Sequence, residues 1–151
     1  MKWVRSSLVS SCILIIGFLL FSVDVDASIE DSPQVTTEIM DTQSSKYIKN
    51  GNASFSKVDA KTAGARCNTS SYSSVQQISC SIHLQVKNKA TGAWVNTGNS
   101  KRFTERNSSF VSGSVNFKIE KNYEYRIHTV HTILKDTKSE QLYAVTNAIK
   151  F

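Results

Sequence analysis

Between Gln77 and Lys87 every second residue is apolar: Ile78, Cys80, Ile82, Leu84 and Val86 fall on one side of an extended chain, with Ser79, Ser81, His83 and Gln85 between them. A two-residue period means one dry face and one wet face, which predicts a β-strand. A second run, residues 123–134, places Tyr123, Tyr125, Ile127, Thr129, His131 and Ile133 together. After the polar turn Lys135-Asp136-Thr137-Lys138 come Tyr143, Val145, Asn147, Ile149 and Phe151, so these two runs are expected to pair as a hairpin. Weaker alternation marks 53–60, 63–68, 93–97, 101–106 and 114–119, the last with Val115, Phe117 and Ile119 facing inward. Clusters of Gly, Asn and Ser separate the runs and no helical period is sustained, which is the texture of a sandwich or barrel.

The spacing Tyr123-Glu124-Tyr125 tips that choice, because it resembles the tyrosine corner of immunoglobulin-like sandwiches. The expected fold is therefore an antiparallel, immunoglobulin-like β-sandwich of about seven strands over residues 47–151. A different pattern precedes it. Lys2 and Arg5 are followed by an apolar run over 8–23 and by Val25-Asp26-Ala27, the order of an export signal cut after Ala27. The run falls short of the roughly 20 apolar residues of a spanning helix. Most of the apolar stretch follows Cys12, whereas a lipidation site needs one upstream. Residues 28–46 are polar, aperiodic and acidic, hold the only proline, and predict a disordered leader.

Charge changes the picture, because it is divided unevenly along the chain. The formal net charge is +6, yet residues 28–45 carry four acids and no cation, while residues 46–151 hold sixteen Lys and Arg against six acids, about +10. Such an excess concentrates anions near the surface. The densest cluster is Lys101, Arg102 and Arg106, and Trp94 beside the Thr91-Gly92 turn offers a flat ring for stacking. With Cys12 in the signal, Cys67 and Cys80 are an even pair in an oxidising compartment, where a disulfide is expected. Two isolated cysteines do not make a zinc site.

Catalytic chemistry finds no foothold in the pattern. His128 and His131, three apart on a strand, are expected on opposite faces, His128 wet and His131 under the sheet. The serines occur in no elbow or triad context, and Glu120 with Glu124 makes no acid-base pair. The reading is of a non-enzymatic protein without metal or cofactor.

The segments Lys121-Asn122-Tyr123-Glu124-Tyr125-Arg126-Ile127, His131 and Ser139-Glu140-Gln141-Leu142-Tyr143-Ala144-Val145-Thr146, with Val75, Ile78, Ile82, Leu84-Gln85 and Trp94-Val95, are similar to an uncharacterised family of small secreted β-proteins of Gram-positive bacteria. The resemblance covers residues 47–151 and implies a secreted β-sandwich, and it supplies no catalytic residue to carry over. The expected function is a secreted or envelope-associated binding module that presents basic loops around 87–92 and 99–110 to an anionic cell-wall polymer or membrane surface. The alternative is a secreted cationic toxin or antimicrobial protein.

Overall fold

The computed structural model describes residues 37–39 and 45–151. Its elements are β1 (Thr37–Ile39), β2 (Ile48–Asp59), β3 (Thr62–Lys87), β4 (Trp94–Lys118), β5 (Glu124–Lys135), β6 (Lys138–Thr146) and β7 (Ile149–Lys150). All belong to one antiparallel sheet, in the order β1-β6-β5-β3-β2, with β4 added to β3 and β7 to β5. The arrangement turns on β3. Its first part, from Thr62 to Ser71, pairs with β2, and its second, from Gln77 to Val86, pairs with β5, while β4 follows both.

The expected runs 63–68 and 77–87 are thus one strand of 26 residues, and 93–97, 101–106 and 114–119 fall on another of 25 except for Ala93 and Ile119 just beyond its ends. The serine and asparagine clusters between them do not end strands. They mark irregularities: the β3–β4 register shifts between Ser70 and Val75, and Asn107 of β4 adopts a φ of 50°. Asparagine tolerates this left-handed conformation better than most residues, and an extra unpaired residue bends a strand. The bend is severe. Straight strand covering the 13-residue separation of Cys67 and Cys80 would span about 43 Å, yet their Cα atoms are 6.3 Å apart. The sheet therefore curls into a half-barrel, one arm holding β2 and the near part of β3, the other holding the far part of β3 with β5 and β6.

This corrects the immunoglobulin-like expectation, since the strands form a single curled sheet instead of two. Alternation records which side chains are dry, but not whether a polar cluster closes a strand or bends one. The local signal that suggested the sandwich is nonetheless present: the backbone N–H of Glu120 donates to the Tyr125 hydroxyl at 3.0 Å. A second difference concerns the acidic leader, where Thr37–Ile39 pairs with β6, Glu38 opposite Val145. The rest of that leader up to residue 44 and the export signal over 1–27 lie outside the described residues.

Phe55, Ile78, Ile82, Leu84, Ile127 and Ile133 fill the inside of the curl. Two crosslinks join the arms there. One is the Cys67–Cys80 disulfide. The other is His131, fully buried opposite Cys80, whose Nδ1 lies 2.8 Å from the Thr69 hydroxyl and Nε2 3.1 Å from that of Thr129. Gly51 of β2 lies against this ring, and a Cβ there would stand 2.7 Å from His131 Cγ. Gly113 plays the same part under the Phe103 ring.

The hairpin expected at 135–138 is present as β5–β6, with Asp136 at φ 56° in a two-residue turn. Within β6 the inward set is shifted by one residue, however: Leu142 and Ala144 point inside the curl while Tyr143 lies outside, whereas Ile149 and Phe151 pack against the core as expected. Glu140 closes the curl by accepting the backbone N–H groups of Lys46 and Tyr47, both at 2.7 Å, and of Ile48 at 3.2 Å. These donors precede or begin β2, so a single carboxylate ties β6 to the opposite arm. Phe151 packs between Phe55 and Tyr125, with ring centroids at 6.2 and 5.9 Å.

Candidate functional site

Alternation along the second arm sends one residue in two to the outer face. On β3 these are Ser79, Ser81, His83, Gln85 and Lys87, because Ile78, Cys80, Ile82 and Leu84 point inward. Strand register then fixes their neighbours. On the β4 side Arg106 stands opposite Gln77, Arg102 opposite Ser81, and Trp94 opposite Lys87. On the β5 side His128 stands opposite His83 and Arg126 opposite Gln85. A band of cations and imidazoles therefore crosses the face from Arg106 through Arg102, His83 and His128 to Arg126.

The cluster of Lys101, Arg102 and Arg106 is divided by this register. Arg102 and Arg106, four apart, share the outer face, whereas Lys101 is aligned with Ile82, on the other side of the strand. Lys101 and Arg102 still border one depression of about 370 Å³, together with Ser81, His83, Ser100, Val130, Thr132 and Gln141. All three cations are exposed. The segment expected as a basic loop over 99–110 is not a loop at all but part of β4, while Asn88 to Ala93 form the turn between β3 and β4. There the Asn88 carboxamide accepts the N–H groups of Ala90 and Thr91, and Gly92 takes a φ of 72°.

Trp94 also differs from an open stacking platform. The guanidinium of Arg126 lies over its ring, 4.4 Å from the centroid, a cation–π contact. Gln85 holds the same group, accepting from Arg126 Nε at 2.8 Å while donating to Asn96 at 3.0 Å. Neither Nη group of Arg126 has a hydrogen-bond partner among the described residues. Arg102 is held in a similar way, donating through Nη2 to the Ser79 hydroxyl at 3.0 Å. Two guanidiniums are thus placed in advance, which reduces the side-chain entropy lost when a planar anion is gripped.

The electrostatics of the face have one sign. Among the described residues of β3 to β6, the carboxylate at an outer position is Glu124, and Lys87 pairs with it at 3.0 Å. Glu105 aligns with Ile78 on the other side, and Glu140 is engaged at the closure. The pKa of His128 is lowered by burial first, then by the charges of His83 and Arg126. Tyr143 stacks on it, centroids 5.7 Å apart and planes within 9°.

Arg126 and the His83–His128 pair escaped the sequence reading. The signal was available: both histidines sit at wet positions of the two clearest strands, and pairing those strands aligns them. No group of three or more His, Cys, Asp or Glu that could hold a metal ion occurs among the described residues.

These features define an all-β protein of one curled, disulfide-bridged antiparallel sheet with a cationic outer face. Residues 20–149 match the Family of unknown function (DUF6147), and the chain belongs to that family. Among curated proteins none matches the chain.

Proposed function

We propose that the protein is exported and acts outside the cytoplasm as a non-enzymatic binding module, holding an anionic polymer of the cell envelope against the outer face of β3 to β6. The observation that carries this reading is the one-signed face: Arg102, Arg106 and Arg126 stand on it, and its carboxylate Glu124 is already matched by Lys87. The charge of about +10 over residues 46–151 draws polyanions from a distance. The placed guanidiniums then offer the forked donors that suit phosphate and carboxylate.

A membrane surface is less well supported. Interfacial anchors bury a cluster of apolar side chains, whereas the large exposed hydrophobics, Val58, Tyr72, Val95, Phe110 and Tyr143, are scattered over four strands. Export is supported by the cationic, apolar and small-residue order of the first 27 residues and by the disulfide, which persists in oxidising compartments.

The test is binding to purified cell walls at low salt by the parent and by a variant with Arg102→Gln, Arg106→Gln and Arg126→Gln. An exposed charge pair is worth up to about 1 kcal/mol, so losing three weakens binding by about tenfold or more. Equal binding by the two proteins would refute the reading.

A further inference from the structure

The arginines account for the charge of the outer face but leave two of its ionisable groups without a role. His83 and His128 are direct cross-strand partners, with ring centroids 6.1 Å apart. The depression bordered by Lys101 and Arg102 lies against His83 and presents the hydroxyls of Ser81, Ser100 and Thr132.

The surroundings of the pair come from four strands. On β3 they are Ser81 and Gln85, and on β4 Ser100, Lys101 and Arg102. On β5 they are Arg126 and Val130, and on β6 Tyr143 and Val145. This set holds three cations, hydroxyls, one amide and no carboxylate. A proton placed on either imidazole therefore meets like charge on two sides, and none of these described neighbours is an anion; the next residue in register beyond Val145 is Glu38 of β1. Burial, His83 and Arg126 all hold His128 below the ordinary histidine pKa. What the constellation lacks is an anion of the right reach.

The geometry points to a phosphodiester-binding site at the His83–His128 pair, flanked by Arg102 and Arg126, whose grip on a phosphodiester-linked polymer tightens as the solution is acidified. It rests on the anionic-polymer reading above and adds the chemistry of the ligand and its control by protons. A phosphodiester keeps its single negative charge through the neutral and mildly acidic range, so the pH dependence belongs to the protein. Bound beside the rings, it supplies the missing counter-charge and raises the pKa of His128. By linkage, proton uptake on binding means higher affinity at lower pH. His131 does not confuse this response, because it is sealed in the core and titrates near pH 4, below the window.

The experiment measures dissociation constants of the purified protein for fluorescently labelled poly(glycerol phosphate) and for a single-stranded DNA oligonucleotide. Values are taken at about pH 7.5 and about pH 5.5, on either side of the ordinary histidine pKa. The expected result is affinity about tenfold higher at the lower pH, an average uptake of about half a proton over the two pH units, falling to less than about twofold in the double variant His83→Gln with His128→Gln. A gain with either polymer supports phosphodiester recognition, and the arm that responds names its source. A gain that survives in the double variant, or a parent with none, overturns the proposal. So does a response confined to vesicles of phosphatidylglycerol.

The ring resonances of His128 in the parent provide a second readout that needs no variant. Their titration midpoint is expected to rise when polymer is added, and a fixed midpoint contradicts the site. Arg102→Gln with Arg126→Gln separates the two readings: if it weakens binding at both pH values while the histidine pair shows no linkage, the cationic face stands and the proton control falls. If it weakens nothing, both fall.

Discussion

His131 and His128 are three residues apart on β5, and the pleat sends them to opposite faces. The inner ring is fully buried, both nitrogens engaged by the hydroxyls of Thr69 and Thr129, which also reach the carbonyls of Ser79 and Ala144 at 3.2 and 3.3 Å. A neutral imidazole has one donor and one acceptor nitrogen. The two threonines can therefore satisfy it in either tautomer, one receiving its proton and the other donating. The outer ring stacks on Tyr143 and meets cations. One side chain type thus serves as a fixed crosslink where hydroxyls answer both nitrogens, and as a titratable group where like charges leave it unanswered.

The largest expected effect breaks the inner crosslink by acid. Burial lowers the pKa of His131 from 6.5 to about 4. Between these values the unfolded chain binds a proton that the folded chain refuses, so stability falls as pH falls. The loss approaches about 3 kcal/mol. His128 acts in the same direction, being lowered too. Glu140 enters in a lower window. Burial would raise its pKa, but the side chain of Ser45 and the N–H groups of Tyr47, Lys46 and Ile48 outweigh that and lower it from 4.5. Its contribution is present above the ordinary carboxylate pKa and disappears as pH falls through the folded value. Urea midpoints measured from pH 7 downward are expected to drop first through the histidine window. A flat profile there would mean that His131 is not sealed from water.

Steric pressure on the same ring gives the next effect. Gly51 leaves no room for a methyl group, because the nearest atoms are His131 Cγ at 2.7 Å, Cδ2 at 2.8 Å and Leu142 Cδ2 at 3.0 Å. Gly51→Ala forces the imidazole off its threonine partners or moves β2 away from β5. Overpacking of this kind costs about 1–3 kcal/mol. Thermal unfolding monitored by circular dichroism is expected to show the loss. An unchanged midpoint would show that the arms separate at little cost.

The contrast also explains what could be read from the chain alone. The opposite fates of His128 and His131, the dry side of 77–87, the β5–β6 hairpin and the Cys67–Cys80 bridge followed from alternation and cysteine parity, since each depends on neighbours in sequence. The curl did not, because Ser70 to Ser74 and Asn107 to Ser109 have the composition of turns yet bend strands that continue. The shift in β6 had a similar cause. Tyr143 and Val145 are the apolar pair that alternation selects on β6, yet Leu142 and Ala144 face the inside of the curl, since Thr129 pairs with Ala144 and His131 with Leu142; Ile149 and Phe151 pack against the core as expected. Half of the candidate face was legible as Arg102, Arg106 and Trp94. Arg126, His83 and His128 join them only through the β3–β5 register, which no local pattern states.

The smallest expected effect is the sharpest test of the comparison. His128→Gln removes a ring that is half-buried, has no hydrogen-bond partner among the described residues and rests on the exposed Tyr143. Glutamine retains a polar, extended side chain at that position, so no cavity opens and no buried group is orphaned. Substitutions of that kind change stability by no more than about 0.5 kcal/mol. The acid-induced fall in urea midpoint is expected to survive with most of its amplitude, because the proton responsible goes to the inner ring. If His128→Gln instead removed most of the pH dependence, the outer histidine would be the acid-sensitive part of the fold, and the division of labour across β5 would be reversed.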